Sequence, residues 1–372
     1  MVLLSSRTTL QIGCYSAFCV AILVLPLFVH DAFLLNKYAR YLVFAIVAVS
    51  LSLSWGYAGI LNLGQAATFG IGSYCMAMAL KLKTIPVHTG SEGLPDFMVW
   101  NNVTELPLLW QPFSSLPFAI FAGLAVPALF AGLIGWFIFG GRITGVYAAI
   151  ITLAVMVVLN LVIVDQQAFT GGFNGITDLA QFEVAGITFD AYSSSTYYLA
   201  AICLTFTLFA SLALARSKVG LVLQAIRDHE DRTRFFGYDV ARYKTFVFMI
   251  SAGFAGLAGM LYTIVMEFAS PTFLSVPLSL SMVIWVAVGG RQSLLGAAAG
   301  AILVTGVQGA LSESEAFLDT WTLIMGGLFV LFVLVMPKGL AGAAEMLATR
   351  KTRFRETPDA APAGKSAMEN VQ

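Results

Sequence analysis

Charged side chains are scarce in this chain. Asp, Glu, Lys and Arg make up 11% of its 372 residues, where a soluble domain carries about 25%. That deficit excludes an ordinary water-soluble globule. Neither sign is in excess: 20 basic residues balance 20 acidic ones, so the surplus of positive charge that follows a nucleic-acid backbone is missing. Cysteine is equally sparse. Cys14, Cys19, Cys75 and Cys203 fall inside apolar runs without metal-ligand spacing and read as inert thiols. His30, His88 and His229 lie in separate loops, which leaves no cluster for nucleophilic or metal-assisted chemistry. A phosphate-loop look-alike, APAGKS at 361–366, has Asp359 where such a loop needs its first glycine. No cofactor, no metal and no enzyme activity are expected.

What is present is apolar length. Hydrophobic residues make up 59% of the chain, in runs that reach the roughly 20 helical residues needed to cross a bilayer core. The fold class is therefore all-α, a polytopic integral membrane helical bundle of about ten transmembrane helices. The spans read as 12–29, 41–55, 66–80, 117–139, 143–164, 196–215, 247–267, 274–288, 293–310 and 320–336. The first reads as an uncleaved span, since no small-residue cleavage site accompanies it. Residues 1–340 form the membrane domain. Residues 341–372 are polar and Ala/Pro-rich, with little to bury, and are expected to be a disordered cytoplasmic tail.

Orientation follows the lysine and arginine bias. With both termini in the cytoplasm, sixteen of the 20 basic residues fall on the inner side. Lys37, Arg40, Lys81 and Lys83 are the exceptions, close enough to span ends to snorkel. The outer loops are acidic, holding Asp165, Asp178, Glu183, Asp190, Glu313, Glu315 and Asp319.

Two spans are short for a crossing. Tyr41–Trp55 would give about 22 Å of helix and runs into a stretch broken by Gly56, Gly59, Gly64, Gly70 and Gly72, with Asn62 and Gln65 among them. The other, 274–288, is entered through Pro271 and Pro277 and ends at Gly289-Gly290. Irregular backbone at membrane depth is tolerated where protein buries it or where it lines a watery path. The candidate path residues are Gly59, Asn62, Gly64, Gln65, Thr68, Gly72 and Asn160. Close helix approach accounts for the small residues equally well, and for Gly253, Gly256 and Gly259 it is the better account. Apart from Glu267 at an edge, the spans as drawn hold no ionisable residue. That disfavours a proton-coupled carrier and suits a neutral, hydrogen-bonding solute. Two GGR turns, 140–142 and 289–291, hint at an internal duplication.

One segment reverses the scarcity of charge. Arg216–Lys244 carries seven basic and four acidic residues between two apolar runs. Within it, Leu221–Phe236 is expected to be one amphipathic helix. Val222, Ile226 and the ring of His229 share a face at i, i+4 and i+7. Arg227–Asp231, Asp228–Arg232 and Glu230–Arg234 are opposite-charge pairs at i, i+4, and Gly237 suits the helix end. A solvated linker that merely fixes topology is the plainer alternative.

These residues carry a resemblance. GLVLQAIRDHEDRTRFFGYD (220–239), followed by KTF and SAGFAGLAG, resembles the permease subunits of branched-chain amino-acid-type ABC importers. So do WGYAGILNLGQAATFGIGSY (55–74), WVAVGGRQSLLGA (285–297) and MPKGLAG (336–342), a likeness covering about 40–340. Within that family, SEGLPDFMVW (91–100) and LPLLWQPFSS (106–115) resemble the larger permease subunit of the urea-importer branch. Asn62 departs from the pattern, which more often has serine there.

The resemblance implies a permease in a bacterial inner membrane, paired with a homologous second permease subunit. Two ABC ATPase subunits would bind its cytoplasmic face and a periplasmic substrate-binding protein its outer face. The loop 216–246 would hold the ATPase-coupling helix, with Gly220, Val222, Ala225, Ile226, Arg227, Asp228, Glu230, Arg234 and Gly237. Val222 and Ile226 would fill a groove on the ATPase, while Arg227, Asp228, Glu230 and Arg234 set its register. The implied cargo is urea or a similar small neutral amide. The alternatives are branched-chain amino acids, or an ATP-independent channel for a neutral solute.

Overall fold

Asp31 starts the helix around which the molecule is built. Its carboxylate accepts from the Phe33 N–H at 2.9 Å, an N-cap bond for the first turn of α2. In this computed structural model, which describes residues 2–84, 93–184, 186–313 and a few positions up to 342, α1 spans Val2–Val24 and α2 spans Ala32–Ser52. A wider, π-helical turn carries α2 on through Leu53–Tyr57, so the continuous span is 26 residues. That length, about 39 Å, crosses a bilayer comfortably. The short span expected at 41–55 is thereby corrected. Lys37 and Arg40 belong to the same helix, so the spans are not free of ionisable residues.

α3 follows at Gln65–Thr84, the short α4 at Asp96–Trp100, then α5 at Leu116–Gly140, α6 at Val146–Asp165 and α7 at Gln167–Thr170. A small antiparallel hairpin, β1 (Phe182–Val184) with β2 (Ile187–Phe189), pairs Glu183 with Thr188. After it come α8 (Ser194–Arg216), α9 (Lys218–Asp228), α10 (Glu230–Phe235), α11 (Val240–Met266), α12 (Val276–Gly289) and α13 (Leu294–Ser312). Among the described residues, six helices are long and apolar enough to cross a membrane: α2, α5, α6, α8, α11 and α13. Ile12–Leu27 and α12 are shorter apolar helices. The expected span 320–336 and the tail lie almost wholly outside the described residues.

α2 and α11 form the centre. Along α2, the residues from Tyr41 to Ser52 are buried with the exception of the half-buried Phe44. α11 lies against α2, α3 and α5, and it approaches two of them through glycine. A Cβ on Gly72 of α3 would run into the Gly256 carbonyl of α11. One on Gly256 would run into the Gly123 carbonyl of α5, and one on Gly259 into the Phe69 carbonyl. These glycines let backbones touch, as small residues do where membrane helices associate. Gly253 meets only ordinary contacts, the nearest 3.7 Å away. The outward faces of α5 and α6 stay apolar and open, with Phe121, Leu129, Trp136, Phe137, Tyr147 and Leu161 all more than half exposed.

The connections gather at two ends. At the far end, Lys37 meets Glu313 at 2.7 Å and Asn36 donates to the Ala191 and Val265 carbonyls at 2.8 and 2.9 Å. Ile176 and Ala269 bridge, and Lys81, 4% exposed, reaches Asp96 at 3.1 Å and Asp178 at 3.4 Å. Trp110 closes the 106–115 segment over this end by donating its indole N–H to the Phe169 carbonyl at 2.9 Å. At the near end lie α9, α10, the 140–145 and 289–293 turns and the break after α2.

Candidate functional site

The break between α2 and α3, residues 58–64, faces a strict physical demand. Its backbone groups leave the helical ladder inside an apolar bundle, where unpaired N–H and C=O groups are costly. Hydroxyls from two other helices meet part of that demand. The Leu63 N–H donates to Thr152 Oγ1 of α6 at 3.2 Å, and Ser279 Oγ of α12 donates to the Leu63 carbonyl. Asn62 turns back on the segment, accepting from the Gly64 N–H at 2.9 Å and donating to Gln65 Oε1 at 2.6 Å. Gln65 Nε2 reaches Ser50 Oγ at 2.9 Å and Ser251 Oγ at 3.3 Å. Ser251 Oγ in turn donates to the Ser50 carbonyl at 2.6 Å. The result is an uncharged polar belt tying together α2, α3, α6, α11 and α12.

The expected path residues separate on this map. Asn62, Gly64, Gln65 and Thr68 come together in and beside the belt, with Thr68 Oγ1 on the Gln65 carbonyl at 2.8 Å. Asn62, Gly64, Thr68 and Thr152 border a void of about 10 Å³, room for about one water molecule and far too little for a solute. Gln65 is 0% exposed and Asn62 2%, so the belt is closed in this state. Gly72 belongs to the glycine contact between α3 and α11. Asn160 is apart from the belt, where it donates to the Pro271 carbonyl at 2.6 Å and pins the turn before α12. Ser50 and Ser279 are belt members that sequence reasoning did not single out. A lone serine in an apolar helix is unremarkable until its partners, distant in sequence, are known.

The charged run meets the break directly. Arg227 of α9 donates from Nη1 to the Gly56 carbonyl at 2.7 Å. Its aliphatic stem lies over Gly59, where a Cβ would come within 3.2 Å of Arg227 Cγ. Gly59 also holds φ at +73°, in the left-handed region that a side chain would strain. From the other side, the backbone of Arg291 supports the same turn. Ser52 Oγ donates to its carbonyl at 2.9 Å, a Cβ on Gly56 would strike that carbonyl, and the guanidinium lies 5.9 Å from the Trp55 ring centre, within cation–π range. Residues 52–59 are thus clamped between α9 and the α12–α13 turn.

The run itself differs from the expected single helix. It divides at His229, which adopts φ −150° and ψ 86° and ends α9. Ser217 caps α9 by accepting from the Gly220 N–H at 3.3 Å. Because the helical register is lost at the break, the pairs expected across it do not form: Arg227 bonds Asp228 at 2.9 Å instead. Glu230–Arg234, within α10, does form, at 3.1 Å. Glu230 also holds Lys244, which is 6% exposed and lies 5.8 Å from the Phe139 ring centre. Gly237 follows α10 with φ +87°.

Burial reassigns the apolar face. Ile226 is 2% exposed and serves this chain's own interior, with Val222 half-buried. The large apolar side chains of the run that reach the surface are Leu221 (63% exposed), Phe235 (91%), Phe236 (78%) and, less so, Tyr238 (44%). Arg227 likewise faces inward rather than out.

A bundle of apolar helices around a broken, hydroxyl-held segment, with a charged near-end helix bonded to it, is consistent with a transport permease. The chain belongs to the family described as branched-chain amino acid transport system / permease component, which matches residues 33–333. It is 26% identical over 321 residues to the high-affinity branched-chain amino acid transport system permease protein LivM of Salmonella typhimurium, covering 80% of this chain and 68% of that one. It is 24% identical over 268 residues to the probable LivM of Methanocaldococcus jannaschii, covering 69% of this chain and 75% of that one. The ribose import permease protein RbsC of Haemophilus influenzae is 23% identical over 300 residues, covering 77% and 87%. No solved structure matches the chain.

Proposed function

We propose that this chain is the membrane-spanning half of an ATP-driven ABC importer that carries urea, or a similarly small neutral amide, into a bacterial cell. The observation that supports the mechanism best is the hydrogen bond from Arg227 to the Gly56 carbonyl. The charged run is joined to the π-helical end of α2, directly before the backbone breaks at residues 58–64. A push on α9 therefore has a direct route to residues 52–65 and, through Gln65, to the belt.

In this reading the near end faces the cytoplasm, in line with its basic residues, and both termini lie there. Two ATPase subunits sit beneath this chain and a homologous second permease. The exposed Phe235, Phe236 and Leu221 enter the ATPase groove. A periplasmic binding protein docks on the far end. ATP is hydrolysed by the partners, and motion of α9 opens and closes the belt. Urea as cargo is supported by the likeness of 91–115 to the urea branch and by a belt built of amides and hydroxyls without fixed charge. Branched-chain amino acids are the second reading, favoured by what the LivM relatives are named for.

Uptake of labelled urea and labelled leucine by a strain deleted for this subunit separates the two. Loss of urea uptake alone is the expected result, and loss of leucine uptake alone refutes the urea assignment. Downhill urea flux through the purified chain reconstituted by itself would overturn the ATP-driven mechanism in favour of a channel.

A further inference from the structure

The belt is not the only polar feature inside the bundle. Toward the far end, α2, α11 and α13 border an open cleft of about 200 Å³ that neither the belt nor the lever uses. Arg40, Tyr41 and Phe44 line it from α2, Tyr262 from α11, and Gln308 and Glu313 from α13. Arg40 lies ten residues before Ser50, and Tyr262 eleven after Ser251. Both helices therefore place the cleft about 15 Å from the belt.

Its walls differ in chemistry. Arg40 Nε is buried without a hydrogen-bond partner, and the Tyr41 hydroxyl, buried beside it, has the Lys37 ammonium as its polar neighbour. Lys37 is taken up by Glu313 at 2.7 Å, whereas Arg40 forms no ion pair among the described residues. A guanidinium N–H withdrawn from water calls for an acceptor. Both groups can donate, so the complement is an oxygen. On the opposite wall Gln308 offers an amide oxygen that accepts N–H groups, while both Glu313 oxygens already accept from Lys37. Phe44 and Tyr262, packed on one another with ring centres 5.2 Å apart, close the apolar side of the pocket. Gly309 keeps the space open: a Cβ there would strike the Tyr41 hydroxyl and come within 2.9 Å of Lys37 Cε.

We infer that this cleft is a solute station ahead of the belt, holding a small molecule whose sp² oxygen faces Arg40 and Tyr41 and whose N–H groups face α13. Urea meets every part of that description, with one carbonyl and four N–H donors. A carboxylate-bearing solute shares the oxygen chemistry. The inference rests on the import reading above for the direction of travel.

The test uses the complete importer in proteoliposomes with saturating loaded binding protein, normalised to assembled complex by gel filtration. Arg40→Gln and Gly309→Ala are each expected to lower urea transported per ATP by tenfold or more. Gln308→Leu, on the other wall, gives the same decision if either variant fails to assemble. Urea transport at the wild-type ratio in the variants that assemble overturns the station while leaving the permease function intact. If the wild type carries leucine and not urea, and Arg40→Gln abolishes that transport, the station stands with a carboxylate as its ligand and the urea reading falls.

Discussion

Arg227→Met removes the guanidinium and keeps most of the stem that covers Gly59. A hydrogen bond to a charged donor contributes about 1.5–3 kcal/mol. The Arg227 side chain is 23% exposed, so the lower end of that range applies. The companion pair with Asp228 is on the surface, with Asp228 60% exposed, and adds less than about 1 kcal/mol. A loss of about 1.5 kcal/mol shifts the equilibrium between the clamped and released segment roughly tenfold. In the docking proposed above the ATPases keep their contact in this variant, because Phe235 and Phe236 are untouched. Hydrolysis should continue while the segment no longer follows it. The assay is the ratio of labelled solute imported to phosphate released, in proteoliposomes holding the assembled importer. Arg227→Met is expected to lower that ratio severalfold to tenfold, and Asp228→Asn to leave it nearly unchanged. An unaltered ratio in Arg227→Met would refute the lever. So would loss of ATPase association in that variant, which would make Arg227 a contact with the partner instead.

Phe235→Asp together with Phe236→Asp should abolish co-purification with the ATPases while the permease still accumulates in the membrane; retained association would mean that docking uses another surface. Ile226→Asp should instead reduce the amount of folded protein, since an unpaired carboxylate at a 2% exposed position costs several kcal/mol, and normal accumulation would contradict its interior placement. Gln65→Leu strips donors and acceptors from Asn62, Ser50 and Ser251 at once and should destabilise the bundle by roughly 2–4 kcal/mol, read as a lowered thermal midpoint in detergent; an unchanged midpoint would show that water replaces the amide. Gly72→Ala forces a methyl group onto the Gly256 carbonyl and should cost about 1–3 kcal/mol by the same measurement, with an unshifted midpoint disproving the close approach.

The sequence made the lipid-facing helices plain and the interior ones less so. The expected 117–139, 143–164, 196–215 and 293–310 fall within a few residues of α5, α6, α8 and α13, because an uninterrupted apolar run of bilayer length has little choice but helix. For α2 the same rule misled. Lys37 and Arg40 interrupt the apolar pattern, but the helical ladder continues through them: Lys37 pairs with Glu313 and Arg40 opens onto a polar cleft. The cap at Asp31 was the signal that marked the true start. The split at His229 had no local warning, with neither glycine nor proline at the break. It becomes intelligible only when Arg227 is seen drawn inward to Gly56 and Glu230 sideways to Lys244. Asn62 and Gln65 stood out as amides in an apolar stretch. Their partners Ser50, Thr152, Ser251 and Ser279 come from four helices, and only the fold brings them together.

The glycine contacts among α3, α5 and α11 set a boundary on how this molecule can change shape. Where carbonyl oxygens rest against neighbouring Cα atoms, no side chain remains to change rotamer and absorb a slide. Gly72 on Gly256, Gly256 on Gly123 and Gly259 on Phe69 therefore act like rivets, and the three helices travel as one plate. Bending is left to the seams around that plate: the π-helical end of α2, the turn at Leu63 held by single hydroxyls, and the short α12 between Pro271 and Gly290. Spin labels paired across the plate should keep one distance through a transport cycle, while pairs reaching from the plate to those seams should not.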